Sequence, residues 1–334
     1  MMRALRFVCA AWVLPAGFSL IAFFGFFTNY TTDVFSTAGL AGQYHRSVFQ
    51  YRILGRDLVA ALAGAFEPIS AGWPLPRAMP VLDPIGNAGT YWAYVVVHTV
   101  ATCIGCSLLL VALRRSASST RTPAIESIVP ELTVVGVAMA VALAAFVVTP
   151  YDGVFFAFQM AALLVTLAMS PTAGLVPLVV ITALAALTRE SAYFIPMFFL
   201  AVHHRAVLAE RGARTTFTAV SAAVVVTYAG VRFLLGWSGA SSVFYAWQWS
   251  DNLAWTALTG TAMLVAALVL LLVDGPNDRE RRWFAVLTTP YLVFVHVFAA
   301  PWEWRLWVPV LVPLLALYVI PERTTGLGQS EYHG

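Results

Sequence analysis

Arginines and carboxylates recur in this chain beside apolar stretches, and together those two side-chain types can hold a phosphate and move a proton. The set comprises Asp33, Arg46, Arg52, Arg56, Asp152, Arg189, Glu190, Asp251, Glu303 and Arg305. A guanidinium presents a planar fork of N–H donors that matches phosphate oxygens. A carboxylate can take the proton of a hydroxyl as that hydroxyl attacks an electrophilic carbon. Arg189-Glu190 is the sharpest case, because Leu187 before it and Tyr193-Phe194-Ile195-Pro196 after it leave little polar loop in which two charges could dissolve. Blander readings stand beside each candidate. The Arg189-Glu190 pair could form a solvated hairpin tip, Asp33 an exposed loop aspartate, and Pro150-Tyr151-Asp152-Gly153 a plain turn. Trp302-Glu303-Trp304-Arg305 could belong to an interfacial aromatic belt with an incidental ion pair.

The elements that position these residues are set by composition. Hydrophobic residues make up 60% of the 334, charged residues 10%, and the mean hydropathy is +0.80. A water-soluble globule does not have that balance. In hydrocarbon every backbone polar group must be satisfied internally, so spanning segments are helices or closed barrels, and runs such as Leu253 to Val273 favour helices. All nineteen basic residues are arginine, which reads as compositional bias and not as a nucleic-acid surface. Cys9, Cys103 and Cys106 fall in apolar stretches and read as small buried residues. His98 and His296 stand alone in apolar runs and read as packed side chains, and His203-His204 reads as a helix end. Metal-spaced His pairs, Walker A, Gly-x-Ser-x-Gly and dinucleotide fingerprints are absent from the sequence.

Hydropathy marks ten apolar segments, near 5–27, 90–113, 131–148, 154–169, 173–188, 191–203, 215–236, 253–273, 283–299 and 306–320. The first is long and lacks a small-x-small site at its end, which favours a retained helix over a cleaved signal. Residues 173–203 decide the topology. As a single helix they would reach ~46 Å, well beyond a ~30 Å hydrocarbon core. As a hairpin turning at Thr188-Arg189-Glu190-Ser191, they put Arg205, Arg211, Arg214, Arg279, Arg281, Arg282 and Arg323 on the same side as Arg3, Arg6, Arg114, Arg115 and Arg121. The excess of arginine in cytoplasmic loops selects the hairpin. The expectation is therefore a single transmembrane domain over 1–323 with about ten membrane segments and both termini cytoplasmic, followed by a polar cytoplasmic tail over 324–334. Residues 28–89 form the first extracytoplasmic loop. Within it Tyr51, Leu54, Leu58, Leu62 and Phe66 share a helical stripe that predicts an amphipathic interfacial helix over 48–66.

Under this topology the candidate charges gather on the extracytoplasmic side, where they are costly unless they pair or face a polar cavity. Guanidinium clamps at Arg52, Arg189 and Arg305 with a nearby carboxylate suit glycosyl transfer from a lipid-linked phosphosugar, with positive charge stabilising the departing phosphate. Tyr51, Trp302 and Glu303 complete the expected pocket.

At this point the chain resembles the GT-C superfamily of polytopic membrane glycosyltransferases. The features that carry the resemblance are a first helix followed by a long outer loop with Asp33 and an amphipathic helix, the Gln50-Tyr51-Arg52 stretch, Thr188-Arg189-Glu190 between two short helices, and Glu303-x-Arg305 before a Pro-containing last helix. The resemblance implies an all-α membrane bundle of GT-C type in a bacterial inner or plasma membrane. It also implies a polyprenyl-phosphate sugar donor, a glycan or lipid acceptor, and Asp33 as general base; the reading of the residues adds Asp152 and Glu190 as further candidate catalytic carboxylates. This sequence has one Asp in Thr32-Asp33-Val34 where the family commonly has an acidic pair, so no divalent metal or other cofactor is implied. Membrane lipids are expected partners and nucleic acid is not.

Three other classes compete, the blandest being a structural membrane subunit, for which the gathering of outer charges would be accidental. A polysaccharide polymerase or ligase also binds lipid-linked phosphates, but usually through a large late outer loop. A transporter or flippase usually has related halves and charges near the midplane. The late loops here, 237–252 and 300–305, are short, and no repeat is visible.

Overall fold

The computed structural model describes residues 2–25, 35–45, 48–70, 72–73, 82, 86, 88–117, 128–146, 151–236, 261–298 and 304–320, with backbone alone at 143, 145–146, 294–298 and 304–305. Helices account for the regular structure, and there is no strand among the described residues. In chain order they are α1 (Met2–Gly25), α2 (Thr37–Gly42), α3 (Ile53–Ser70), α4 (Ala88–Ala117), α5 (Val129–Phe146) and α6 (Asp152–Ala168). Then follow α7 (Leu175–Ala186), α8 (Phe194–Ala209), α9 (Arg211–Leu235), α10 (Thr261–Leu272), α11 (Asp278–Phe298) and α12 (Trp304–Val319).

A helix lies over each of the ten apolar segments. Four are long and apolar enough to cross a membrane: Met2–Gly25, Ala88–Arg115, Glu190–Ala209 and Arg211–Leu235. This is compatible with an integral membrane protein. The other apolar helices are shorter, and α7, with 12 residues, reaches only ~18 Å at ~1.5 Å per residue.

The centre of the bundle is α6, which packs on α4, α5, α7, α8 and α12. Small residues allow that closeness, as they do where apolar burial alone gives little drive to associate helices in lipid. A Cβ on Gly105 of α4 would lie 2.5 Å from the Phe156 ring, and one on Gly153 would lie 2.8 Å from His98 O. The periphery is of the opposite kind. On α9 the buried residues are Ala213, Thr216, Val220 and Val231, while Phe233 and Leu234 are 82% and 80% exposed, as expected for a helix facing lipid. In α1 the turn over Cys9–Val13 is π-helical, with Leu14 N–H reaching back to Cys9 O. Pro15 follows and has no N–H to donate, so the wider turn accommodates it.

The chain reverses between α7 and α8. Gly174, just before α7, lies against Val165 near the end of α6, whereas Arg189, just after α7, reaches Asp152 at the start of α6. His203 of α8 then contacts Thr166 O, back at the end of α6. Thus α7 runs antiparallel to α6 and α8 parallel to it, which is the hairpin that the arginine distribution favoured.

The helix expected over 48–66 divides into a 3-10 turn, Val48–Tyr51, and α3. It packs on α4, with Val59 and Ala63 in one buried cluster with Tyr91, Tyr94 and Val95, while Gly55 lies against Tyr151; of the stripe, Leu62 and Phe66 pack partly buried on that cluster and Leu58 is 45% exposed. Arg52 and Arg56, expected off the stripe, are buried against protein. The small residues permit closer approach than leucine would, so Gly55 and Ala63 share the packed face with Val59, and of the stripe Leu58 turns outward.

Candidate functional site

Three chain segments meet at one end of α6. Tyr151 precedes the helix with φ 86, in the left-handed region, a conformation that costs a side-chain-bearing residue about 1–2 kcal/mol. Its surroundings hold it there. The ring packs where a Cβ on Gly55 would otherwise stand, at 2.3–2.6 Å, and the hydroxyl donates to Gln43 Oε1. Gln43 Nε2 donates in turn to Tyr94 OH at 2.8 Å. The first loop, α4 and the start of α6 are thereby fastened together by a buried polar chain. Phe35, whose ring centroid lies 4.5 Å from that of Tyr94, closes its apolar side.

The end of α7 is fixed from two directions. Leu187 O, left without an intrahelical donor, accepts Leu54 N–H from α3 at 3.1 Å. Thr188 Oγ1 donates to Leu184 O at 2.9 Å. Arg189 is extended, with φ −161 and ψ 148, and extended backbone sends successive side chains to opposite sides. Arg189 Nη1 accordingly donates to Asp152 Oδ1, while Glu190 Oε2 accepts from Arg52 Nη2 at 3.1 Å. The side chains of Arg189 and Asp152 are 5% and 8% exposed, and those of Arg52 and Glu190 are 8% and 30%. The second oxygen of Glu190, Oε1, is buried with no hydrogen-bond partner.

Beside these pairs stands a third cation. The Arg232 guanidinium lies 4.1 Å from the Tyr51 ring centroid and 4.5 Å from that of Tyr228, and its Nη2 donates to Tyr228 OH at 2.5 Å. Tyr51 OH donates to Gly236 O at 2.8 Å. Arg52, Arg189 and Arg232 against Asp152 and Glu190 leave a surplus of one positive charge, an arrangement suited to an anion. Tyr51, Arg52, Arg189, Glu190 and Tyr228, with Ala186 and Val231, line a narrow crevice. Its interior holds no water-sized space, while Glu190 in its lining is 30% exposed. Arg56 serves the scaffold, donating to Asp57 Oδ1 at 3.0 Å and to Gln50 O at 3.2 Å.

Of the residues expected from sequence, Asp152, Arg189, Glu190, Arg52 and Tyr51 come together. Asp33, Trp302 and Glu303 lie outside the described residues, and Arg305 is described by its backbone alone, in the first turn of α12. Among the described residues no group of three or more His, Cys, Asp or Glu is placed to hold a metal ion. Sequence reasoning missed Arg232 and Tyr228. The same arginine count that put Asp152 and Arg189 on one side puts the last turn of segment 215–236 there as well, so Arg232 could have been found. Compared with known proteins, the chain matches no family model, no curated protein and no solved structure.

Proposed function

We propose that this chain is a membrane glycosyltransferase of GT-C type. It would transfer a sugar from a polyprenyl-phosphate donor to a glycan or lipid acceptor on the extracytoplasmic face, with about ten membrane segments and both termini cytoplasmic. The observation that carries this reading is the meeting of Arg52, Arg189 and Arg232 with Asp152 and Glu190 at one end of the bundle. Position supports transfer over transport, since Arg189 and Glu190 lie at helix ends, level with the start of α6, and not midway along a span.

In this reading the donor phosphate displaces part of the Arg52–Glu190 contact and is held by the guanidinium groups. The acceptor hydroxyl gives its proton to a carboxylate as its oxygen bonds to the anomeric carbon. The bond from that carbon to the phosphate oxygen breaks, and its electron pair stays on the phosphate, where positive charge stabilises it. Glu190 is the base best placed among the described residues, because Arg52 engages one oxygen and leaves the other available. Asp152 orients Arg189. Asp33, the base that the family resemblance implies, is the rival.

The test is turnover of a panel of polyprenyl-phosphate sugars by the purified protein in lipid. Transfer lost in Glu190→Gln and kept in Asp33→Asn assigns the base to Glu190, and the reverse assigns it to Asp33. Absence of transfer from every donor by the wild type would sink the proposal.

A further inference from the structure

At the end of the bundle away from the Asp152–Arg189 pair, a cavity of about 690 Å³ opens between the last turns of α8, the start of α11 and the end of α12. That size falls within the ~300–1,000 Å³ of small-molecule sites. Its wall carries charges of both signs, Arg205 and Glu210 from the α8 end, Arg279 and Glu280 from the first turn of α11. None of these four side chains has an ion-pair partner among the described residues. Asp278, also in the wall, is engaged by Arg281, which is 1% exposed and also donates to Val273 O at 3.0 Å. Asp278 is thereby occupied, while the four other charges, which sum to zero, line the cavity.

A second hollow, of about 550 Å³, adjoins the first through Asp278 and Arg279 and follows the outer side of α11 past Arg282, Trp283 and Val286. The Trp283 ring lies 5.7 Å from the His204 ring at 30°, forming a wall between the two. Trp283, Val286, Pro290 and Val293 are spaced by three and four residues and all are exposed, so this face continues as an apolar track along the helix. A polar, mixed-charge chamber at a membrane end that leads into an apolar track has the form of a lipid, head and tail.

We propose that this end of the protein binds one ethanolamine phospholipid. Its phosphodiester lies between Arg205 and Arg279, its ammonium by Glu210 and Glu280, and an acyl chain runs beside Trp283 and Val286. Charge complementarity selects the headgroup. An anionic glycerol headgroup would leave both carboxylates facing negative charge, and a choline headgroup has no N–H to donate to them.

The full-length protein, reconstituted in nanodiscs of mixed ethanolamine, choline and glycerol phospholipids and then released into detergent, is analysed by native mass spectrometry. The expected result is one retained phospholipid, enriched in ethanolamine over its share of the disc. The double variant Glu210→Gln/Glu280→Gln loses that enrichment by about tenfold yet still retains phospholipid, and Arg205→Gln/Arg279→Gln lowers retention of all three classes by a similar factor. All four positions lie at a charged rim, and thermal unfolding of the variants checks that they remain folded. No retained lipid, retention without headgroup preference, or preference for the glycerol lipid overturns the proposal. So does lipid binding that appears only after the chain is truncated following Ile320, since the segment 321–334 would then be the occupant.

Discussion

Arg189, just past the end of α7, donates to the carboxylate of Asp152, the first residue of α6, with both side chains less than one-tenth exposed. One residue further, Glu190 faces the other way and accepts from Arg52 of the first loop. A single extended residue thus distributes two charges to two partners and ties the helical hairpin to segments distant in the chain.

Removing one member of the Arg189–Asp152 pair leaves the other charge buried. Breaking a buried pair from one side typically costs about 3–5 kcal/mol, whereas replacing both partners with neutral groups costs far less. Arg189→Met and Asp152→Asn are each expected to lower the unfolding temperature in detergent substantially, and the double variant to recover much of the loss. A double variant as unstable as the sum of the singles would show that the two residues do not interact.

The Arg52–Glu190 pair is more open, with Glu190 30% exposed, and its effect is expected mainly on chemistry. Glu190→Gln keeps the side chain's shape and a hydrogen-bond acceptor for Arg52 but removes the base. Loss of a general base typically lowers turnover by about 10²–10⁴-fold. The expected outcome is that loss in kcat with little change in unfolding temperature, and turnover within a few fold of wild type would remove Glu190 from the chemistry.

Gly55 brings α3 against Tyr151, and a methyl group there would stand 2.3–2.6 Å from ring carbons. Overpacking of a fitted contact costs about 1–3 kcal/mol. Because Leu54 N–H holds Leu187 O one residue away, the shift needed to relieve the clash also moves Arg52 from Glu190. Gly55→Ala is therefore expected to lower both stability and transfer. Gly64, on the same helix with no atom near its missing Cβ, serves as control, and Gly64→Ala should leave transfer unchanged and raise stability slightly, by about 0.5–1 kcal/mol, because alanine is the better helix former.

The hairpin was legible because arginine counts on the two sides of a membrane respond to one reversal of the chain, and the helices because long apolar runs admit no other spanning structure. The same count places Asp152 and Arg189 on one side, but it does not bring them into contact. Which charge pairs with which was not legible. The partition of Arg189 and Glu190 depends on the extended backbone at Arg189, and the burial of Arg52 and Arg56 depends on Gly55, Val59 and Ala63 taking the packed face of α3. Periodicity marks the leucine stripe, but it does not say whether protein or lipid will cover it. Arg232 was hidden for a simpler reason: one arginine at the end of an apolar run looks like a helix terminus until Tyr51 and Tyr228 are seen beneath it.

At the opposite end, acid should loosen the start of α11. Partial burial draws the Asp278 carboxyl upward, but the hydrogen bond and charge of Arg281, with Gly275 N–H and the charge of Arg282, outweigh it and hold the group below its ordinary value. A carboxylate whose folded value is depressed contributes stability that is fully present above its unfolded value of about 3.9 and is lost as pH falls through the folded value. Asp278→Asn removes that contribution at neutral pH and, with it, the acid dependence. The wild type should therefore unfold at a higher temperature than Asp278→Asn near pH 6, and the gap should begin to close as pH falls below about 3.9 and vanish only below the folded value. Parallel curves from pH 6 to pH 3 would mean that the carboxylate contributes nothing through its charge, and that Arg281 is held by Leu270 O and Val273 O alone.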